Sequence, residues 1–364
     1  MRSIIGEISI NEIICEISKY HYTNTNNLPQ NKNMPHIIVT VGPATAKPDV
    51  LRKLHDLGVR MLRFNFSHAT PENTQPTLDM IHELEKSLSE PFQLMMDLEG
   101  PSIRTGDLAA PRPYHKGQQF KLVIYPTNLG DTDVFCDYPG IIDDVKIGTI
   151  VRIESGLFDT IVREKWPDYL LLEAKNDFTM TSKRHINLPS VHINQATVTE
   201  KDYQNVLYGI EQGFGYMALS FCRSGDDVRN LRKFVADHSK NLVKFVAKVE
   251  NQEGLDNLDD IADASDVVMV ARWDLGTEVP LETIPEIQMD IVKTCQLKNT
   301  PVIVATQMME SMVKSPAPTR AEVSDVFLAV REGADFVMLS EETTVGQYPL
   351  ETVTMMNKII QEAV

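Results

Sequence analysis

Residues 244–274, KFVAKVENQEGLDNLDDIADASDVVMVARWD, contain one complete strand–helix–strand unit, and much of the chain repeats its pattern. The apolar runs Lys244–Val249 and Val267–Ala271 are typical of β-strands, and the segment between them is typical of a short helix. Neither run alternates strictly between apolar and polar residues, as expected for parallel strands that helices cover on both faces. The unit therefore predicts a parallel sheet with its helices packed outside.

Similar units on both sides bring the number of predicted strand–helix pairs to eight. The other strands are expected to begin near residues 36, 61, 92, 216, 301 and 336, and the last helix spans 349–363. An eight-fold β/α barrel needs about 250 residues, which is close to what 35–101 and 188–364 supply together. We therefore predict an α/β fold, a (β/α)8 TIM barrel. The alternative is an open doubly wound sheet, but no glycine-rich phosphate loop follows the first strand.

Two segments differ from this pattern. Residues 102–187 contain short β-type runs at 120–124, 149–153 and 169–172, many turn residues and no long helical stretch, so we predict a small inserted all-β domain. Residues 1–34 begin with an Ile-rich stretch and continue as a polar, turn-rich segment, which predicts an N-terminal extension and linker.

Composition limits the partners and the compartment. With 35 Lys+Arg against 51 Asp+Glu the net charge is −16, which argues against a nucleic-acid polymer but leaves room for a small anionic ligand. The four cysteines are far apart and have no zinc-binding spacing, as in a reduced cytoplasmic protein. No apolar run approaches the roughly 18 residues of a membrane span, so we expect no membrane association.

Polar residues collect where the predicted strands end, which is where β/α barrels carry their chemistry. Lys248 and Glu250 are two positions apart and point to the same side of the sheet, and Asp274 follows the neighbouring strand. Two carboxylates suit Mg²⁺ (or Mn²⁺), and a lysine beside the ion would neutralise a transferring phosphoryl group. The alternative interpretation is a salt bridge at the mouth of the barrel.

A second cluster offers only oxygen ligands. Asn65, Ser67 and Asp97 follow the second and third predicted strands, and such a set is suited to a monovalent cation. The alternative is a hydrogen-bonded network within a turn.

At these positions the sequence resembles the pyruvate kinase family, from about residue 36 to the C-terminus and most weakly over 107–180. The similar motifs are VTVGPA (39–44), RFNFSH (63–68), GPSIRTG (100–106), KVENQEG (248–254), MVARWDLG (269–276), ATQMMESM (305–312) and PTRAEV (318–323). The resemblance implies a barrel with an inserted β-domain that closes over the site. It also implies phosphoryl transfer from phosphoenolpyruvate to ADP with magnesium and potassium ions.

The resemblance also implies roles for individual residues. Lys248 and Arg63 would stabilise the phosphoryl group in flight, and Thr306 would lie near the enolpyruvate carbon that gains a proton. The full set would be Glu250 and Asp274 for Mg²⁺, Asn65, Ser67, Asp97 and the Leu98 carbonyl for K⁺, and Arg104, Ala271, Arg272, Trp273, Asp274 and Thr306 for the substrate.

Several positions depart from the family pattern. Trp273 stands where the family has a glycine, and its side chain is expected to crowd the pocket for the substrate carboxylate. Leu98 and Glu99 replace a threonine and a lysine, and Ser102 replaces a glutamate. Further departures lie at Glu154-Ser155, where the family has an acidic pair, and at Glu341 and Val345, where a lysine near the nucleotide is lost. The family's C-terminal regulatory domain has no counterpart, so we expect simple saturation kinetics.

Three functions follow from these observations. The first is a pyruvate kinase-like phosphotransferase that uses phosphoenolpyruvate and ADP. The second is a divergent enzyme that applies the same metal site to phosphoryl or enolate chemistry on another substrate, as in a specialised biosynthetic pathway. The third is a non-catalytic relative. For an enzyme we expect a small phosphorylated or enolate anion as substrate, together with a nucleotide. Barrels of this family also associate through their sides, so a homodimer is a further expectation.

Overall fold

The computed structural model describes residues 34–127 and 129–364, so residues 1–33 of the predicted extension lie outside the described residues. Its strands in chain order are β1 His36–Thr40, β2 Met61–Asn65, β3 Gln93–Asp97, β4 Arg112–Tyr114, β5 Gln119–Val123, β6 Val134–Phe135, β7 Ile150–Ile153, β8 Phe158–Lys165, β9 Tyr169–Ala174, β10 Phe178–Met180, β11 Ile186–Asn187, β12 Tyr216–Leu219, β13 Lys244–Val249, β14 Val267–Ala271, β15 Val302–Ala305 and β16 Phe336–Leu339.

Strands β1–β3 and β12–β16 form a closed parallel barrel in the order β1-β16-β15-β14-β13-β12-β3-β2. Strand β12 pairs with β3 on one side and with β13 on the other, so the chain closes the barrel across the insertion. The predicted TIM barrel is confirmed.

Helices alternate with the barrel strands and pack outside them. Their bounds are Pro48–Asp56, Pro71–Glu85, Glu200–Glu211, Gly225–His238, Gln252–Asp256, Leu258–Ala264, Arg272–Glu278, Ile284–Lys298, Arg320–Glu332, Glu341–Thr344 and Pro349–Ala363, with 3₁₀ turns at Leu281–Thr283 and Glu310–Val313. Sequence signals fix several helix starts. Before Arg320–Glu332, for example, Thr319 Oγ1 accepts from the Glu322 N–H while the Glu322 carboxylate accepts from the Thr319 N–H.

Side chains fill the inside of the barrel, so it is a packed core. Ile38, Met95, Val246 and Met269 point inward and are completely buried. The alternate residues of the same strands pack against the helices. Each such side chain contributes about 1.5–3 kcal/mol relative to exposure, and burial on both faces explains the absence of polar alternation in the sequence.

The inserted segment forms separate sheets. Strands β4 and β10 form a two-stranded sheet, and the order of the larger sheet is β11-β7-β8-β9-β5-β6. Its own core is aromatic, with Phe158 stacked on Phe120 and Phe178. The short helix Ile141–Asp144 also belongs to this region. The inserted β-domain of the predicted fold class is confirmed, while the division at 35–101, 102–187 and 188–364 stays a prediction.

Gly100 marks the point where the chain leaves the barrel toward the inserted domain. Its φ is +70°, and a Cβ there would lie 3.1 Å from the Ser220 side chain. Only glycine takes this conformation without strain, so the turn after β3 depends on it. The turn also brings the end of β3 against the end of β12, where the polar side chains of the site collect.

Within the residues that the structure describes, no helix is long and apolar enough to cross a membrane.

Candidate active site

Asp97, Lys248 and Glu250 form a buried chain of charges at the mouth of the barrel. Lys248 Nζ lies 3.1 Å from Asp97 Oδ1 and 2.9 Å from Glu250 Oε1. The strands β3 and β13 are not neighbours, and β12 lies between them. Lys248 therefore reaches across the end of β12, where its ammonium group also donates to Ser220 Oγ at 2.7 Å.

Arg63 extends this chain to β2. Its Nε donates to Asp97 Oδ2 at 2.7 Å, so the two carboxylate oxygens of Asp97 are shared between two cations. Arg63 also donates to Thr40 Oγ1 at 3.0 Å, and Thr40 in turn donates to the Leu339 carbonyl. The structure thus brings together Arg63 and Lys248, the two cations that the sequence predicts for phosphoryl chemistry.

The charges in this chain fix one another's protonation. Burial tends to raise the pKa of Asp97, but Lys248 and Arg63 outweigh it and hold that pKa below its ordinary value. Burial tends to lower the pKa of Lys248, but Asp97 and Glu250 hold it above its ordinary value. Both groups are therefore charged at neutral pH, and Lys248 serves as a fixed cation, not as a proton donor.

Glu250 and Asp274 form the carboxylate pair that the sequence predicts as a divalent-cation site. Burial, together with the nearby Asp274 and against the attraction of Lys248, raises the pKa of Glu250 to about 7. Burial raises the pKa of Asp274 as well. In both carboxyl groups burial disfavours the charged form, and a divalent cation bound between them would offset that cost.

The oxygen atoms of Glu250 also fit such an ion. Oε2 accepts from the Phe221 N–H at 2.6 Å, whereas Oε1 is shielded from solvent, forms the ion pair with Lys248 Nζ and accepts no hydrogen bond among the described residues. The described residues contain no group of three or more His, Cys, Asp and Glu that is suited to a metal. The pair would thus supply two ligands and leave the others to water and substrate, as Mg²⁺ prefers.

Ser220 and Phe221 also belong to the site, although neither is among the residues predicted from the sequence. Ser220 accepts from Lys248 and donates to the Leu98 carbonyl at 2.7 Å. Phe221 has a φ of +54°, an uncommon conformation for a bulky residue, and this turns its N–H toward Glu250. The signal was available, because a polar residue ends β12 as it does the other strands.

Thr306 occupies a strained turn at the end of β15. Its φ is +67° and that of Gln307 is +52°. The Arg272 guanidinium holds this turn by donating to the carbonyls of Ala305 and Thr306, the latter at 2.6 Å, and it pairs with Asp325 at 2.7 Å. The sequence predicts that Arg272 binds substrate. In the structure its side chain is only 8% exposed and lies behind Thr306, whose carbonyl it holds.

Trp273 stands at the mouth of the site between the barrel and the inserted domain. Its backbone N–H donates to Thr306 Oγ1 at 2.9 Å, and its indole N–H donates to Ser155 Oγ at 3.2 Å. The side chain is 44% exposed. Ala271, which precedes the pair Arg272-Trp273, is buried at the end of β14.

The residues predicted for K⁺ lie together, but protein donors already use several of their oxygen atoms. Asn65 pairs with Asp97 in the β2–β3 register, and its Oδ1 accepts from the Ser67 N–H at 3.1 Å. The Leu98 carbonyl accepts from Ser220, and the Asp97 carboxylate is shared by Arg63 and Lys248. This arrangement fits a monovalent cation less well than the pair Glu250 and Asp274 fits a divalent one.

Arg104 lies apart from this cluster, on the segment that leads into the inserted domain. Its Nη2 is 3.7 Å from Glu99 Oε1, and its Nη1 donates to the Lys183 carbonyl. Glu99 also pairs with Lys201 at 2.8 Å. Glu99, which stands where the family has a lysine, thus forms an ion pair with Arg104, the arginine that the resemblance implies for phosphate binding.

A cavity of about 840 Å³ opens beside the charged chain. Its lining includes Arg63, Asn65, Trp273, Asp274, Thr306 and Glu342. A second cavity of about 400 Å³ lies where the inserted domain joins the barrel and is lined by Ser102, His185 and Glu278 among others. The larger cavity is lined by part of the predicted site, including Arg63, Asp274 and Thr306, and has room for a phosphorylated substrate of ordinary size.

Comparisons with known proteins agree on one family. Residues 32–353 match the family model "Pyruvate kinase, barrel domain". The chain is 38% identical over 332 residues to the pyruvate kinase of Geobacillus stearothermophilus, which covers 90% of this chain and 56% of that protein. It is 37% identical over 336 residues to the pyruvate kinase of Dictyostelium discoideum, which covers 90% and 66% respectively.

A solved structure is similar as well. The crystal structure of a pyruvate kinase from Cryptosporidium parvum has a TM-score of 0.87 at 34% identity, and the match covers 93% of this chain and 70% of that one. The chain spans little more than half the length of several curated relatives that it matches.

Proposed function

Because this chain belongs to the pyruvate kinase family, we propose that it transfers a phosphoryl group between phosphoenolpyruvate and ADP with a divalent cation. One observation carries the proposal: Lys248 and Arg63 are held on one buried carboxylate, Asp97, beside a cavity that also contains Asp274. Two fixed cations next to two carboxylates suit a reaction that develops negative charge on phosphoryl oxygens.

In this mechanism the chain contributes positioning and charge. Lys248 and Arg63 stabilise the negative charge on the phosphoryl oxygens as the group leaves one oxygen and joins another. Asp97 keeps both cations in place, so their reorganisation during the reaction is small. Because the pKa of Lys248 lies above its ordinary value, it keeps its proton throughout.

Glu250 and Asp274 would hold Mg²⁺ or Mn²⁺, which when bound supplies electrostatic stabilisation of the substrate's phosphoryl oxygens. The Thr306 hydroxyl donates to the Ala305 carbonyl and accepts from the Trp273 N–H. We propose that it relays a proton to the enolpyruvate carbon: it would give its own proton to the carbon and take one from a water molecule in the cavity. Arg272 positions this hydroxyl by holding the strained turn behind it.

A second function, phosphoryl or enolate chemistry on a different substrate, is favoured by Trp273. Its side chain lines the cavity next to Asp274, and its backbone N–H is used by Thr306. A substrate carboxylate that needs this N–H would have to displace Thr306. An unbiased metabolite screen in which phosphoenolpyruvate is the best substrate would argue against this alternative.

The main proposal is tested by measuring pyruvate formation from phosphoenolpyruvate and ADP, with Mg²⁺ and Mn²⁺ compared and with and without K⁺. We expect Lys248→Ala to reduce kcat at least about 100-fold, as expected for removal of a group that stabilises transition-state charge. Lys244→Ala is the matched control, because this exposed lysine begins the same strand. Absence of turnover with several nucleoside diphosphates and both metals would exclude this function.

The same assay addresses a non-catalytic role. If Glu250→Gln abolishes a metal-dependent turnover, a purely regulatory relative is excluded.

Three further proposals follow from the family. They are a cytoplasmic location, a homodimer, and K⁺ binding by Asn65, Ser67, Asp97 and the Leu98 carbonyl. Light scattering of the purified chain tests the homodimer.

A further inference from the structure

The helix Arg272–Glu278, which carries Asp274, is held near both ends by the inserted β-domain. Near its start, the Trp273 indole N–H donates to Ser155 Oγ at 3.2 Å. Near its end, Arg152 Nη1 donates to the Thr277 carbonyl at 2.6 Å. We call these two hydrogen bonds the clasp.

The turn of the inserted domain that carries Ser155 has a defined shape. Glu154, Ser155 and Gly156 have φ values of +56°, +52° and +83°, and the Leu157 N–H closes the turn on the Glu154 carbonyl. Arg184 Nη1 holds the Glu154 side chain at 3.2 Å. The hydroxyl of Ser155 is therefore presented by a fixed turn between β7 and β8.

Asp274 lies between the two points of attachment. It follows Trp273 directly, and its carbonyl accepts from Thr277 Oγ1 at 2.7 Å. Trp273 is also tied at its backbone to Thr306. The helix has only seven residues, about two turns, and Asp274 is the third of them. A displacement at either attachment point therefore also moves the Asp274 carboxylate between them.

We propose that the clasp positions Asp274, so that the inserted β-domain sets the affinity of the Glu250 and Asp274 pair for a divalent cation. Trp273, Ser155 and Arg152 are positioning residues in this inference, which rests on the metal site of the proposed function. The competing possibility is that both contacts only attach the inserted domain, in which case their loss leaves cation affinity unchanged.

The experiment measures Mn²⁺ binding by the electron paramagnetic resonance signal of the free ion, in the absence of substrate. Ser155→Ala, Trp273→Phe and Arg152→Met each remove one hydrogen bond of the clasp. We expect each to weaken Mn²⁺ binding about threefold to tenfold, which corresponds to the usual net value of one hydrogen bond. Arg152→Lys keeps a donor and should bind Mn²⁺ more tightly than Arg152→Met.

Two controls match these changes. Trp166→Phe removes the other tryptophan, whose indole donates to Glu164 on the surface of the inserted domain, and should leave Mn²⁺ affinity unchanged. Arg163→Met breaks an exposed pair with Glu173 on the neighbouring strand and should also have no effect. In the Trp166→Phe protein, the emission of Trp273 reports whether its surroundings change when Ser155 is replaced.

The outcomes separate this inference from the proposed function. Glu250→Gln should abolish Mn²⁺ binding; if it does not, the cation binds elsewhere and the clasp inference is wrong. If binding requires Glu250 but all three clasp variants stay within twofold of the parent, the inference is also overturned. Normal Mn²⁺ binding that weakens as expected in these variants, without pyruvate formation, supports the clasp and refutes only the proposed function.

Discussion

Replacing Asp97 by asparagine tests the buried chain of charges directly. Asp97 is completely shielded from solvent, 2.7 Å from Arg63 Nε and 3.1 Å from Lys248 Nζ. The asparagine side chain would fill the same volume without the charge and would present an amide to at least one of the two cations. Both cations would then be buried without their shared partner.

The expected cost is about 3–5 kcal/mol, the usual value for removing one member of a buried ion pair. The free energy of unfolding of a folded protein is roughly 5–15 kcal/mol. The variant should therefore still fold, but it should unfold at a lower urea concentration than the parent. The sign of the pH dependence follows from the pKa of Asp97, which Lys248 and Arg63 hold below its ordinary value against burial. The stabilisation that Asp97 provides is present above the pKa of this carboxyl in the unfolded chain. It is lost as the pH falls through the lower pKa that the carboxyl has in the folded protein.

The measurement is urea unfolding at pH 7 and at the lowest pH at which the protein is still folded. The difference in unfolding free energy between the parent and Asp97→Asn should be largest at pH 7 and should become smaller in acid. Asp79→Asn, on an exposed helix position, is the control and should change stability by less than about 0.5 kcal/mol. A deficit below about 1 kcal/mol at pH 7 would refute the reasoning that Asp97 holds both cations.

A second substitution then separates stability from activity. Adding Lys248→Met to Asp97→Asn removes one of the two cations that have lost Asp97, so the double variant should be more stable than the sum of the single effects predicts. The double variant should form no pyruvate, because it lacks Lys248, the cation that we propose to stabilise the phosphoryl group. Additive losses of stability would mean that the two side chains are not coupled.

Three further changes are expected to have measurable effects. Burial raises the pKa of Glu278 from its ordinary 4.5 to about 7, so the carboxyl contributes stability below pH 4.5 that is lost as the pH rises through 7. Glu278→Gln should therefore match the parent at pH 4 and exceed its unfolding free energy by about 1–3 kcal/mol at pH 8; equal values at pH 8 would contradict this. Arg272→Lys cannot hold the Thr306 carbonyl with the same fork of donors and should lower kcat about tenfold with little change in KM, measured by steady-state kinetics. Glu99→Gln should release Arg104 and lower the KM for the phosphorylated substrate about twofold to fivefold, because a partly exposed ion pair contributes little free energy. An unchanged KM would place Arg104 outside the substrate site.

The barrel could be predicted because its strands are buried on both faces and its helices follow at regular intervals. The runs Lys244–Val249 and Val267–Ala271 have the same bounds in the sequence and in the structure. The inserted domain was harder to divide into strands. Strand β8, Phe158–Lys165, was missed because it ends in exposed charged residues and shows no apolar run.

The site could be predicted only in part for a similar reason. Lys248 and Glu250 are two positions apart on one strand, so their contact follows from strand geometry. The contact of Lys248 with Asp97 joins residues 151 positions apart and depends on the register of β3, β12 and β13. The prediction from the sequence therefore places Asp97 among the oxygen ligands of a monovalent cation. In the structure its carboxylate forms ion pairs with Arg63 and Lys248.

Two departures from the family pattern explain each other once the structure is known. Ser155 and Trp273 are 118 positions apart, and each stands where the resemblance implies a different residue. They meet as donor and acceptor at the rim of the site, so they form one altered interface and not two independent losses. The chain Arg63–Asp97–Lys248–Glu250 lies below that rim and keeps its ion pairs. The divergence thus affects how the inserted domain meets the barrel, whereas the four charged side chains beneath the rim keep their ion pairs with one another.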